Sequence, residues 1–310
     1  MFPLPFLLTL LPSALAAPIS IFGFQIGAGK QGTAAPAPIS LATVNATLLR
    51  PAQFARAAYC PSASITSWTC GLPCQQLKGV KFLQSGGDQG AVPFYFIAHD
   101  TVENTLVVAH EGTDPSKFLS LLNDAEFALT AIDTKRIPNA AGKGIKVHDG
   151  FQNTFQRTAD GLLAGVQKNL ASTGVQKVVV TGHSLGAAIA TMTAAMLRAQ
   201  LPSNIQVATT TFGMPRGGNQ AWADYLDSTL GVTFVTNQHD PVPIVPPLLF
   251  GFKHPSGEVH IVDSTQQNIV SCPGQDNKQC ISANSLLKPS ISNHLGPYFN
   301  NLSFGGAQCS

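Results

Sequence analysis

Val178-Val179-Val180-Thr181-Gly182-His183-Ser184-Leu185-Gly186-Ala187-Ala188-Ile189-Ala190 passes from a short apolar run, through a G-x-S-x-G pentapeptide, into a run of small apolar residues. Three consecutive valines suit a central parallel strand buried on both faces. The alanines suit a helix packed close to the sheet, so Ser184 falls on a sharp strand-to-helix turn. A residue there takes strained backbone angles, and Gly182 and Gly186 are needed because a Cβ at either place would collide with the neighbouring strand or helix. The turn lifts the Ser184 hydroxyl out at the carboxyl end of the sheet, where ligands bind in open α/β sheets, and aims a helix N-terminus at it. A glycine-rich connection without chemistry could share the pentapeptide, but the strand before it and the helix after it favour a nucleophile.

Outward from this turn, strand and helix patterns alternate. Phe151, Phe155, Ala159, Leu162, Val166 and Leu170 recur at helical spacing and predict one amphipathic helix of about five turns before the valine strand. Residues 207–212 and 232–236 read as further strands with a helix, 221–230, between them, the order of a doubly wound sheet. Residues 94–98 and 106–109, joined across 100–104, read as an antiparallel hairpin. Leu48, Leu49, Ala52, Ala55 and Ala58 predict a first helix that runs into Tyr59-Cys60.

The 310-residue length suits one α/β catalytic domain with a single large core, over 39–310. Residues 1–16 are apolar and close on Ala14-Leu15-Ala16, the small-x-small pattern of a signal peptide, so export is expected. That run carries Pro3, Pro5 and Pro12 and is shorter than the ~20 residues of a membrane span, so no transmembrane segment is expected. Residues 17–38, rich in Gly, Ala and Pro from Gly27 on, read as a flexible arm or removable pro-segment. Only 11% of residues are charged and the net charge is +2, which gives no field favouring nucleic acid and points to a neutral substrate.

Six cysteines in an exported chain argue for disulfides rather than a metal site, because Cys70 with Cys74 and Cys272 with Cys280 lack paired His ligands nearby. Two tight loops at those spacings would leave Cys60 and Cys309 to tie the start of the domain to its end, although the count alone allows every other pairing. Asn45-Ala46-Thr47 and Asn301-Leu302-Ser303 are glycosylation sequons.

A serine hydroxyl is a weak nucleophile at neutral pH and needs a histidine base that an acid orients. On a turn of this kind the chain order is serine, acid, histidine. Asp240 follows the strand 232–236 in a loop stiffened by Pro241 and Pro243 and is the first choice of acid; Asp263 is the second. Of the histidines beyond Asp240, His294 stands in an irregular stretch and is chosen as base over His254 and over His260, which alternates within a strand pattern. His183 is expected to support the site rather than react. The tetrahedral intermediate needs two N–H donors, one from Leu185 and one from the loop 109–113, unless that loop is an ordinary turn. Asp114-Pro115-Ser116-Lys117 opens a segment whose Phe118, Leu121, Leu122 and Ala125 share one face, with Leu119 beside them; it reads either as a lid or as a plain surface helix.

Several blocks together resemble the fungal class 3 lipases, the filamentous-fungus triacylglycerol lipase family that also holds lipase-like feruloyl esterases. They are Ala57-Ala58-Tyr59-Cys60, Gly112-Thr113, Val147-His148-Asp149-Gly150-Phe151, Gly182-His183-Ser184-Leu185-Gly186, Thr211-Phe212-Gly213-Met214-Pro215-Arg216-Gly217-Gly218-Asn219, Asp240-Pro241-Val242-Pro243 and His294-Leu295, in order from about Ile39 to the C-terminus. The resemblance implies an α/β-hydrolase fold, a mostly parallel central sheet flanked by helices with a short lid. It also implies secreted acylglycerol hydrolysis through an acyl-enzyme, on a neutral lipid or other ester at an oil–water interface, with no cofactor and no metal.

The residues implied are the triad Ser184, Asp240 and His294, Thr113 beside Leu185 as the second oxyanion donor, and a lid near 116–122 that includes Phe118, Leu119, Leu121 and Leu122. Cys60 with Cys309 and Cys70 with Cys74 resemble family bridges, which leaves Cys272 with Cys280. A feruloyl or short-chain esterase would keep this chemistry on another substrate, and a non-catalytic binding protein would keep only the fold. Two features depart from the family pattern. His110-Glu111 stands where many members carry an aromatic residue and Arg, so Thr113 must be supported differently, and the lid segment lacks the Trp of several members.

Overall fold

The computed structural model describes residues 20–21, 24–25, 32–113, 127–287 and 289–309. Its main sheet has nine strands: β1 (Ala37–Pro38), β2 (Val80–Gly86), β3 (Tyr95–Asp100), β4 (Thr105–His110), β5 (Lys177–His183), β6 (Gln206–Phe212), β7 (Thr233–Asn237), β8 (Glu258–Ile261) and β9 (Ile269–Cys272). They lie side by side as β1-β9-β8-β7-β6-β5-β4-β3-β2. The strands from β4 to β8 run parallel, and the pairs at both edges are antiparallel. The valine strand β5 is therefore interior, as its composition requires. Val178 and Val180 pack on one face with Leu106, Val108 and the helix Leu185–Gln200; Val179 packs on the other with Val107, Ala109, Phe54 and Ala57.

The Leu185–Gln200 helix is buried without a break from Leu185 to Leu197, which explains its run of Ala and Gly. A smaller antiparallel sheet joins Phe252–Lys253, Gly218–Asn219, Lys146–His148 and Leu129–Ala131. Cys60 with Cys309, Cys70 with Cys74 and Cys272 with Cys280 form the three disulfides. No helix among the described residues is long and apolar enough to cross a membrane.

The structure differs from the sequence reading at three places. The single helix expected over 151–170 is two, Asp149–Gln156 and Ala159–Thr173, and Thr158 between them leaves helical geometry (φ −120°, ψ −11°). Phe155 and Ala159 stay buried on either side, so the apolar spacing carries through the bend and conceals it. The first helix, Leu49–Ala57, is preceded by a separate one, Leu41–Thr47. Part of the stretch read as a flexible arm is held against the domain. The Gly32 N–H donates to Gln275 O at 2.8 Å, Asn277 Nδ2 donates to Ala34 O at 3.1 Å, and β1 pairs with β9. The lid candidate, with Phe118, Leu119, Leu121 and Leu122, lies outside the described residues.

Candidate active site

Ser184 follows β5 directly, at φ 59° and ψ −128°, a positive φ that costs an ordinary residue about 1–3 kcal/mol. Its N–H donates to Phe212 O at 3.0 Å, which ties the turn to the end of β6. A Cβ on Gly182 would stand 2.4 Å from Gly186 O, and one on Gly186 would stand 2.6 Å from Glu111 O. Both glycines are therefore sterically required. The serine is buried, and its Oγ has no hydrogen-bond partner among the described residues.

Beyond β7 the chain turns back, with the Asp240 N–H donating to Asn237 O at 2.9 Å. Asp240 Oδ1 accepts the Val242 N–H at 2.8 Å, and Oδ2 accepts from His294 Nδ1 at 2.9 Å. A carboxylate only accepts, so Nδ1 carries the proton and Nε2 is left as a free base. That Nε2 is buried and also lacks a partner among the described residues. His294 sits in the short helix Ile291–Leu295. The segment is stitched to the acid loop: the Ser290 N–H donates to His239 O at 3.0 Å, and Asn237 Nδ2 donates to Asn293 O at 2.8 Å and to Pro297 O at 3.2 Å.

His183 links the Ser184 turn to His294. Its Nε2 donates to His294 O at 2.9 Å, so Nδ1 must accept, and Tyr59 Oη donates to it at 2.6 Å. The ring stacks on Phe304 with centroids 4.1 Å apart and lies 4.4 Å from the His294 ring. Burial, reinforced by His294, holds its pKa well below the usual histidine value, which matches a neutral ring donating at one nitrogen and accepting at the other. Gly213, at φ +53°, makes room for both rings: a Cβ there would meet His294 Cε1 at 2.9 Å and His183 Nε2 at 3.1 Å. Tyr59 and Gly213 fall inside sequence blocks noted above, yet nothing in their spacing discloses these tasks.

Leu185 opens the long helix, and Thr113 follows β4. A Cβ on Gly112 would come within 2.0 Å of Tyr59 Oη and 2.6 Å of His183 O, so this loop is pressed against the serine turn. Thr113 and Leu185 consequently line one cavity of about 510 Å³. The departing pair His110-Glu111 supplies the loop's support. His110 Nε2 meets Thr193 Oγ1 at 3.1 Å, and burial drives the ring's pKa down to about 3, so it stays neutral. Glu111 grips Phe94 twice, its N–H donating to Phe94 O at 2.8 Å and its Oε2 accepting the Phe94 N–H at 3.0 Å.

The rejected alternatives are engaged elsewhere. Asp263 accepts the Thr265 N–H in its own turn at 3.0 Å, His260 Nδ1 meets Thr236 Oγ1 at 2.8 Å, and His254 Nε2 donates to Pro243 O at 2.7 Å. Arg216 also falls inside one of the sequence blocks noted above, but its task does not show in the sequence: its buried guanidinium donates to Asp276 Oδ1 at 2.9 Å and to Ile244 O at 2.6 Å, and so pins the loop that carries Asp240.

Residues 107–250 match the family model described as lipase (class 3). The chain is 37% identical over 196 residues to a secreted mono- and diacylglycerol lipase of Malassezia globosa, a match that spans 63% of this chain and only 62% of that protein's length. A secreted mono- and diacylglycerol lipase of Malassezia restricta is 35% identical over 208 residues, which cover 66% of this chain and 68% of that one. Among solved structures, lipase II from Rhizopus niveus superposes with a TM-score of 0.77 at 28% identity, covering 88% of this chain and 99% of that one.

Proposed function

This chain belongs to the class 3 lipase family, and we propose on that premise that it is a secreted hydrolase that cleaves acylglycerols through an acyl-enzyme on Ser184. His294 Nε2 takes the hydroxyl proton as Oγ attacks the ester carbonyl, Asp240 steadies the imidazolium at Nδ1, and the N–H groups of Leu185 and Thr113 receive the oxyanion. His294 then gives its proton to the leaving alcohol, and water repeats the attack to release the acid. One observation carries this reading: Ser184 Oγ and His294 Nε2 are both buried and unpaired among the described residues, while the far side of the same imidazole is bonded to Asp240. An unpaired buried polar group costs about 1–3 kcal/mol. A nucleophile and base awaiting substrate account for it.

A lipid substrate is supported by the low charge, by the names of the relatives and by exposed apolar side chains. Leu249 and Leu287 are 89% and 90% exposed, with Phe250 and Leu286 beside them. These residues belong to the stretches between Asp240 and His294, and Asn284 Nδ2 ties one of them back to Gln238 O. Exposed apolar side chains of this size suit an oil surface. Export is supported by the three disulfides and by the relatives called secreted. Asn45 and Asn301 are exposed and open to glycosylation. Ser184→Ala tests the chemistry: hydrolysis of p-nitrophenyl butyrate should vanish in a protein that still folds, and retained turnover would refute it. Emulsified triolein against methyl ferulate tests the substrate class, and preference for the ferulate would reassign it.

A further inference from the structure

Arg157 takes no part in this chemistry, yet it lines the same cavity as Thr113 and Leu185. The helix Asp149–Gln156 passes over the end of the sheet at which Ser184 sits. Ahead of its first turn the His148 N–H donates to Gly217 O, beyond β6, at 2.9 Å; after its last turn Arg157 Nη1 donates to Ala91 O, ahead of β3. The strands β6, β5, β4 and β3 are successive neighbours, and Leu185 and Thr113 follow β5 and β4. Both therefore lie between the two ends of the helix, and Arg157 marks the end at β3.

The cavity of about 510 Å³ is lined by Gly150, Asn153, Thr154 and Arg157, one face of that helix, and by Gly90, Ala91 and Pro93 of the turn that leads into β3. The bond from Arg157 to Ala91 joins these two walls. Polar groups on the helix wall serve one another: Asn153 Nδ2 donates to Asp149 Oδ2 at 2.8 Å, and Thr154 Oγ1 donates to Gly150 O at 2.7 Å. Phe151, Pro93, Ala128 and Leu185 supply apolar lining that suits an alkyl chain.

The turn that carries Ala91 is stiff. Asp88 Oδ1 accepts the Gly90 N–H at 2.8 Å and the Val92 N–H at 2.9 Å, and the Asp88 N–H donates to Val92 O at 2.9 Å. The acceptor for Arg157 is thus in place before any substrate arrives. From Gly150 to Arg157 the helix advances about 10 Å, the length of a medium alkyl chain.

We propose that Arg157 sets the upper length of the acyl group, whose chain lies along this cavity from Thr113 and Leu185 and stops at the Arg157–Ala91 bond. A longer chain must break that bond or strip water from a guanidinium that is exposed, and an alkyl group returns no hydrogen bond for either. The proposal rests on the ester-hydrolase reading and adds to it a limit on chain length.

The test compares p-nitrophenyl octanoate with p-nitrophenyl palmitate, each at the same mole fraction in the same detergent micelles, so that only the chain differs. The full-length protein should cleave the octanoate at least about tenfold faster. Arg157→Ala should bring that ratio close to one. Asp88→Ala, which frees the turn and leaves Arg157 in place, serves as a second variant and should lower the ratio as well. A wild-type ratio near one, or a high ratio unchanged in both variants, would overturn the assignment of Arg157 while leaving the hydrolase reading intact. Failure to cleave either ester would defeat the hydrolase reading itself, and the length limit with it.

Discussion

His183, the residue before Ser184, donates from Nε2 to the backbone carbonyl of His294 at 2.9 Å, across 111 positions of sequence. The serine turn and His294 are thus joined by backbone and ring, independently of any bond between their side chains. Tyr59 completes the joint by occupying Nδ1 at 2.6 Å. Tyr59→Phe strands that nitrogen in a buried site and should lower stability by about 1–3 kcal/mol. Urea unfolding measures it, and an unchanged midpoint would show that the hydroxyl is dispensable.

Gly213 faces both rings with no room for a side chain. Gly213→Ala adds a Cβ where φ is +53° and His294 Cε1 would be 2.9 Å away, so the imidazole must shift. A misplacement of about 1 Å costs on the order of 100-fold in rate, and the smaller shift needed here about tenfold. The expected result is a fall in kcat of that size; a kcat within twofold of wild type would mean that the ring position is not critical.

Asp240→Asn keeps an oxygen for the Val242 N–H but offers His294 Nδ1 an amide that can donate, which favours the wrong tautomer. The kcat should fall by about 10³–10⁴ with the near-ultraviolet circular dichroism unchanged. A loss below tenfold would remove Asp240 from its assigned role.

Glu258 gives a pH prediction. It is buried, its Oε1 accepts from Thr236 Oγ1 at 2.8 Å and from the Ile281 N–H at 3.0 Å, and burial raises its pKa from 4.5 to about 7. Between those values the folded protein keeps a proton that the unfolded chain has released. Stability therefore falls as pH rises through that window, by about 3 kcal/mol in full. Glu258→Gln mimics the protonated acid and keeps its acceptor oxygen. The Tm difference between variant and wild type should grow in the variant's favour from pH 5 to pH 8, and a flat difference would contradict it.

The buried valine strand, the serine turn and the alternation after it were legible in the sequence, because burial on both faces and the steric demand at Gly182 and Gly186 leave local marks. Chain order and loop chemistry singled out Asp240 and His294, and the fold brings these two side chains to 2.9 Å. The bend at Thr158 was not legible, since apolar spacing runs through it undisturbed. Neither were the tasks of Tyr59, Gly213 and Arg216, which arise from contacts between distant segments: Arg216 reaches Asp276, 60 positions away. The edge strand β1 also escaped, because Ala37–Pro38 gains its strand geometry from β9 and not from its own residues.

Labelling with a fluorophosphonate, followed by peptide mass spectrometry, tests the assignment of Ser184 most directly, since only an activated serine reacts readily. One adduct should appear, on the peptide that contains Ser184, and its rate of formation should drop at least about 10³-fold in His294→Ala. An adduct on another residue, or undiminished labelling without His294, would contradict the proposed triad.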